Sequence, residues 1–266
     1  MKLTIDHHTQ YHYAEMVRHS TQYLRLTPQT SQRQRIVSWQ LDLPEPATIT
    51  TDGYGNILHV LSLDTPHETI QIHAHGEVEI LEDALDDAIE LISPLTYLRS
   101  STLTNATAAI RELAQQHHDD SQPLVGLQSL MQAILEKMPY TPGATDVSFS
   151  ADEALAARNG VCQDHTHVFL ACCRSVGIPA RYVSGYLYTP DSAHVAMHAW
   201  AEAWLNDRWN TFDITNNTCS PNQHLKLAVG MDYLDACPIR GVRFGGGSEA
   251  MQAKAAVNLL DVQQQQ

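Results

Sequence analysis

Three residues in the second half of the chain carry the groups that acyl-transfer chemistry needs. They are Cys162 within Asn159-Gly160-Val161-Cys162-Gln163-Asp164-His165, His198 within Met197-His198-Ala199-Trp200, and Asp213 within Thr211-Phe212-Asp213-Ile214. A thiol attacks a carbonyl carbon, an imidazole moves the proton between nucleophile and leaving group, and a carboxylate steadies the imidazole. Taken singly, each residue type is more often structural: cysteine is usually buried, and a histidine beside a tryptophan usually packs. The polar neighbours of Cys162 (Asn159, Gln163 and Asp164) argue against a sealed thiol.

The elements that must position these groups can be read from pattern. Ser150-Ala151-Asp152-Glu153 matches a capping box that opens a short helix ending at Arg158. Asn159-Gly160 breaks that helix, and a second is predicted over about 162–176, closed by Gly177 and Pro179. Cys162 then sits at a helix start, where unpaired N–H groups and the helix dipole favour the thiolate. The apolar run Val168-Phe169-Leu170-Ala171-Cys172-Cys173 anchors the same helix in a core.

Strands are predicted at 181–188, 198–205, 208–215 and 225–229. Asn206-Asp207 reads as a two-residue hairpin turn. With Leu205 opposite Arg208, Trp200 faces Asp213 and His198 faces Thr215. Asp213 is then diagonal to His198 on one face, within reach of the imidazole. A one-residue change in the turn would move it to the other face.

Residues 1–80 read as β, with predicted strands at 23–26, 35–43, 57–63 and 69–80 and a strong turn at Asp52-Gly53-Tyr54-Gly55-Asn56. The close spacing predicts an antiparallel sandwich or barrel-like unit. Residues 81–100 contain Pro94 and the acidic residues Glu82, Asp83, Asp86, Asp87 and Glu90, and are read as a solvated connector. Helices are predicted at 105–117 and 126–138, the second ended by Pro139-Tyr140-Thr141-Pro142-Gly143. Gly245-Gly246-Gly247 reads as a loop between two final strands, and the glutamines at 263–266 as a disordered tail. The expected organisation is α+β: an N-terminal β unit (1–80), a connector (81–100), a core of helices packed on an antiparallel sheet (101–262), and the tail.

Bulk composition narrows the function. A net charge of −14 over 266 residues repels phosphate backbones and anionic membranes, so neither nucleic acid nor membrane is an expected partner. No apolar run reaches the length of a membrane span, and the first residues carry no apolar stretch of a secretory signal, so a cytoplasmic location is expected. Five cysteines, an odd number with no Cys-x-x-Cys pair, fit neither a disulfide framework nor a thiolate zinc site. Fifteen histidines raise a metal-dependent hydrolase as an alternative, with His165, His167, His194 and His198, or the strand pair His73 and His75, as imagined ligands. No His-Glu-x-x-His helix occurs. No metal or cofactor is therefore expected, and His7-His8 and His117-His118 are read as surface residues.

With these residues in view the sequence resembles a known family. Gly160-Val161-Cys162-Gln163-Asp164, Gly177-Ile178-Pro179-Ala180-Arg181-Tyr182-Val183-Ser184-Gly185-Tyr186, His198-Ala199-Trp200 and Phe212-Asp213-Ile214-Thr215-Asn216 look like the core of the bacterial transglutaminase-like superfamily. Leu24-Arg25-Leu26-Thr27-Pro28 and the 52–56 turn are similar to the β-rich domain that often precedes that core. Ile214 departs from the proline or alanine common at its place in the family. The resemblance implies a papain-like fold, with Cys162 as nucleophile, His198 as general base and then acid, and Asp213 as orienting carboxylate. It gives a mechanism and leaves the substrate open.

A peptide or protein amide is the expected substrate, hydrolysed through a thioester. Transfer to an amine, as in a protein-glutamine transglutaminase, is the alternative. A non-catalytic peptide-binding module is the alternative of another class, and a homo-oligomer is compatible with any of them. The Cys162 N–H is the expected first oxyanion donor. Gln163, Asn159 and Tyr140 are candidates for the second, with Asp164 and Asn216 as supporting residues.

Overall fold

From Leu3 to Tyr13 every second side chain points inward, the signature of a strand with one face buried. This alternation belongs to β1 (Lys2–Leu24), a strand of 23 residues and longer than the predicted 23–26 segment. Beyond Val17 the buried positions become Ser20, Gln22 and Leu24. The change of parity follows from a register slip between Val17 and His19, because one extra residue turns every later side chain to the other face.

The computed structural model describes residues 1–82, 92–190 and 197–260. Asp83, Asp86, Asp87, Glu90, His194 and the 263–266 tail lie outside them.

β1 is the spine of a curled antiparallel sheet, a half-barrel. The sheet order is β2 (Gln34–Asp42), β5 (His67–Ile80), β1, β4 (Ile57–Leu63) and β3 (Thr48–Thr51). Two C-terminal strands, β10 (Ile239–Gly245) and β11 (Glu249–Leu259), also pair with β1. The expected boundary of the core at residue 262 is therefore corrected: the chain returns to complete the first sheet. Local patterning could not reveal this, because the pairing joins residues more than two hundred positions apart, such as Leu3 and Leu259.

The second unit is a four-stranded sheet ordered β8 (Arg208–Phe212), β7 (His198–Leu205), β6 (Ala180–Leu187) and β9 (His224–Gly230). Four helices pack beside it: α1 (Ala108–His117), α2 (Pro123–Lys137), α3 (Ala151–Ala157) and α4 (Cys162–Ser175). Every residue of α4 from Gln163 to Arg174 is buried. Ala199, Ala201 and Ala203 alternate along β7 and let α4 approach closely, with Phe169 against Phe212 at 5.0 Å between ring centroids. A last short helix, α5 (Tyr233–Ala236), follows β9.

Two amide side chains seal the junction between the units. β9 is an edge strand, with unpaired backbone groups along one side. Gln34 donates to the Lys226 carbonyl at 2.8 Å and accepts from its N–H at 2.9 Å. Asn56, from the predicted turn, does the same at Val229, both contacts at 2.8 Å. The expected connector also contributes, because Tyr97 is buried edge-on against Trp209. His7, expected at the surface, is buried and bonded to the Tyr186 hydroxyl at 2.7 Å. Among the described residues no helix is long and apolar enough to cross a membrane.

Candidate active site

The capping box at Ser150 forms as the sequence predicts, with both reciprocal contacts present. Helix α3 then ends on Arg158, which adopts the left-handed conformation at φ 55°. Gly160 is needed for another reason: a Cβ there would lie 2.7 Å from the Asp164 Cβ. That close approach lets the Asp164 carboxylate accept the Val161 N–H at 2.8 Å and the Thr145 hydroxyl at 2.6 Å. Asp164 thus caps the helix whose first residue is Cys162 and ties it to the preceding loop. The Cys162 thiol is half-buried, whereas Cys172, Cys173 and Cys237 are buried.

His165 fixes the same helix start from its inner side. Its two ring nitrogens contact the Met138 carbonyl at 2.7 Å and the Thr215 hydroxyl at 2.9 Å. Thr215 is therefore not opposite His198. The β7–β8 ladder keeps the predicted register, with Leu205 opposite Arg208 and Asn206 and Asp207 both at positive φ, but it stops at Ala201 and Phe212. The chain then turns, closed by reciprocal backbone bonds between Asp213 and Thr218 at 2.8 and 3.1 Å. Asp213 leaves the ladder at the point where it is diagonal to His198.

Cys162, His198 and Asp213 are brought together. His198 Nε2 donates to Asp213 Oδ2 at 2.8 Å, and Cys162 is near enough to the ring to raise its basicity. With Nε2 engaged by the carboxylate, Nδ1 is the nitrogen left for the sulfur. Burial alone lowers the basicity of His198, but the hydrogen bonds and charges of Asp213 and Cys162 outweigh it and raise the imidazole to about 10. Burial pushes the Asp213 carboxyl up, and the bonds from His198 and His224 overcome this and hold it well below the usual carboxylate range. These partners favour the protonated ring, which lies between the Cys162 side chain and the Asp213 carboxylate.

His224 is the residue that sequence reading missed. Its Nε2 lies 2.8 Å from the same Asp213 Oδ2, and its ring stands edge-on to Trp200 at 4.8 Å. It reaches the site because pairing of β9 with β6 slips between Ser184 and Gly185. Gly185 permits the slip, since a Cβ there would meet the Leu225 carbonyl oxygen at 2.1 Å. After the slip, Lys226 and His224 share the face of Val229, Trp200 and Glu202. Nothing local to His224 signals this, because the bulge lies between strands far apart in sequence.

The other candidates separate clearly. Asn216 donates to Asp213 Oδ2 from its amide at 2.8 Å and to Oδ1 from its backbone at 3.2 Å. Tyr140 is half exposed, and both burial and the nearby Cys162 sulfur raise its phenol. Gln163 turns away and donates to the Val147 carbonyl at 3.1 Å. The Asn159 side-chain oxygen is buried without a hydrogen-bond partner. Among the described residues His165 and His167 do not join His198 in a ligand cluster. His198 groups instead with Asp213 and His224, a buried set whose carboxylate oxygen is already shared by hydrogen bonds.

Comparison with known proteins identifies the family and the fold. Residues 111–214 match the transglutaminase-like superfamily, and residues 3–79 match the bacterial transglutaminase-like N-terminal region. An uncharacterised Mycobacterium bovis protein is 33% identical over 90% of this chain and 86% of its own length. One from Mycobacterium leprae is 29% identical over 97% and 99%. A crystal structure of a candidate cysteine protease from Cytophaga hutchinsonii superposes with a TM-score of 0.78. It covers 98% of this chain and 92% of its own, at 22% identity, and so speaks to the fold alone.

Proposed function

The chain belongs to the transglutaminase-like superfamily, and from that premise we propose that it is a thiol-dependent acyl-transfer enzyme cleaving amide or isopeptide bonds of a peptide or protein. The observation that carries the reading is the His198 imidazole, bonded to the Asp213 carboxylate at 2.8 Å and close enough to Cys162 for that side chain to raise its basicity. The Cys162 thiolate attacks the carbonyl carbon, and the developing oxyanion is met by N–H donors at the start of α4. Tyr140, whose phenol is raised in part by Cys162, is the favoured second-donor candidate. The C–N bond breaks as the His198 imidazolium protonates the leaving amine, and a thioester remains. Neutral His198 then takes a proton from water, whose oxygen attacks the thioester and releases the acid and the thiolate. Asp213, held by His224 and Asn216, keeps the ring oriented through both steps.

Water is the favoured acceptor because hydrolysis needs no second binding site. An amine acceptor uses the same thioester and defines the transglutaminase alternative. A library of peptide amides and isopeptides decides between them. Release of free acid, dependent on Cys162, supports the hydrolase, and a new amide formed with an added amine supports the transferase. Turnover that survives Cys162→Ala removes both, and turnover lost on chelation points to the metal-dependent alternative.

A further inference from the structure

The outer face of the N-terminal half-barrel carries a grid of imidazoles and carboxylates that the proposed chemistry does not use. Antiparallel pairing sets Asp42, His73 and His8 in one row across β2, β5 and β1, and Gln40, His75 and Asp6 in the next. The three rings stack, His8 on His73 at 3.8 Å and His73 on His75 at 4.4 Å. Asp6 Oδ1 accepts from His73 Nε2 at 2.7 Å, which leaves Nδ1 as the ring nitrogen facing Asp42. Asp42 Oδ2 lies 3.4 Å from that Nδ1 and 3.1 Å from His75 Nε2. The other Asp42 oxygen accepts from Gln40 at 2.6 Å.

His73 Nδ1, His75 Nε2 and Asp42 Oδ2 thus converge on one point of the sheet surface, all within 4.8 Å of one another. A tetrahedral site with bonds near 2.0–2.1 Å has ligand–ligand edges of about 3.3 Å, close to the two spacings found. The Asp6–His73 contact is the arrangement that orients a metal-bound imidazole from behind, and the Gln40 contact orients the carboxylate in the same way. Lys254, opposite His8 on β11, makes the far end of the grid the less favourable one for a cation.

We propose that Asp42, His73 and His75 form a binding site for a divalent transition cation of the zinc class. His73 Nδ1, His75 Nε2 and Asp42 Oδ2 supply three ligands, and water takes the fourth position. Imidazole with carboxylate suits zinc, nickel or copper, whereas calcium and magnesium take oxygen ligands. The site stands apart from the catalytic reading and does not depend on it.

The test is calorimetric titration of the full chain with Zn2+. The Cys162→Ala/His198→Ala double variant serves as parent, so that the thiol and the buried His198 cluster contribute nothing. One cation per chain is expected. Adding His73→Ala or His75→Ala should weaken binding by roughly tenfold or more, and Gln40→Ala or Asp6→Asn by about tenfold through loss of ligand orientation. His8→Ala should leave affinity within about twofold. A melting curve on each protein confirms folding, and His75→Gln replaces any alanine variant that fails to fold. Binding that is absent, or unchanged by both His73→Ala and His75→Ala, overturns the proposal. Several weak, equivalent sites would count as adventitious ion only and overturn it equally.

Discussion

His224 and His198 share one oxygen: each Nε2 lies 2.8 Å from Asp213 Oδ2. The Asp213 carboxylate is therefore not dedicated to one imidazole. Its orientation comes from a strand at the far edge of the sheet as well as from the hairpin that carries it. The Arg181–Glu202–Lys226 cluster, with Glu202 fully buried between the two cations, lies on the same face of the sheet.

Replacing His224 with alanine should lower kcat by about tenfold or more while leaving Cys162 in place, since an orienting partner is lost rather than a reacting group. Asp213 loses a donor that depresses its carboxyl, so the acid limb of the pH–rate profile should move to higher pH. His224→Gln, which can still donate, should restore part of both. A pH profile unchanged in His224→Ala rules out the positioning role.

Cys162 should be the first thiol alkylated by iodoacetamide near neutral pH, because it stands half-exposed beside the His198 imidazole, whose basicity is raised. Burial pushes Cys172 up to about 12 and raises Cys173 and Cys237, so these should stay unmodified in the native protein. His198→Ala should slow the Cys162 reaction. Mass-spectrometric mapping of the five thiols checks both statements.

The buried His198–Asp213 pair makes stability depend on pH at both ends. The depressed Asp213 carboxyl contributes stability above the ordinary aspartate pKa of about 3.9, lost as pH falls below it. The raised His198 contributes stability fully present below the ordinary histidine pKa of about 6.5, lost as pH rises through about 10. Urea midpoints should therefore peak between about pH 4 and 6.5 for this pair. His198→Ala should flatten the alkaline decline, and an unaltered slope above pH 7 would contradict the assignment.

Gly160→Ala should damage the site without touching a reacting group. The new methyl would press on Asp164, with contacts at 2.7 Å to Cβ and 2.9 Å to Oδ2. Overpacking of this kind costs about 1–3 kcal/mol. Loss of the Asp164 cap should also loosen the start of α4. The urea midpoint and the Cys162 alkylation rate should both fall.

Gln34→Ala and Asn56→Ala each remove two bonds to the β9 backbone and leave buried groups unpaired. Each should cost about 1–3 kcal/mol. Denaturant unfolding measures the loss, and a change below a few tenths of a kcal/mol for both would show that the amide pairs do not hold the units together.

Local chemistry was legible in the residues themselves. The Ser150 capping box, the helix starting at Cys162, the alternation along β7 and the Asn206-Asp207 turn all depend on interactions within a few residues. Because hairpin register follows from turn length, the reach from Asp213 to His198 could also be counted along the chain. The predicted 208–215 strand ran too far, since the Asp213–Thr218 turn competes with the ladder and strand propensity does not report it.

By its own order of residues, then, the chain determined which groups could react and which short elements would carry them. Tertiary structure alone decided that β10 and β11 close the first sheet, that a bulge at Gly185 turns His224 onto Asp213, and that Gln34 and Asn56 cap the β9 edge. The reason is physical. Helix caps and tight turns are set by neighbours along the backbone, whereas strand partners and slips in their register are set by which distant surfaces can bury each other.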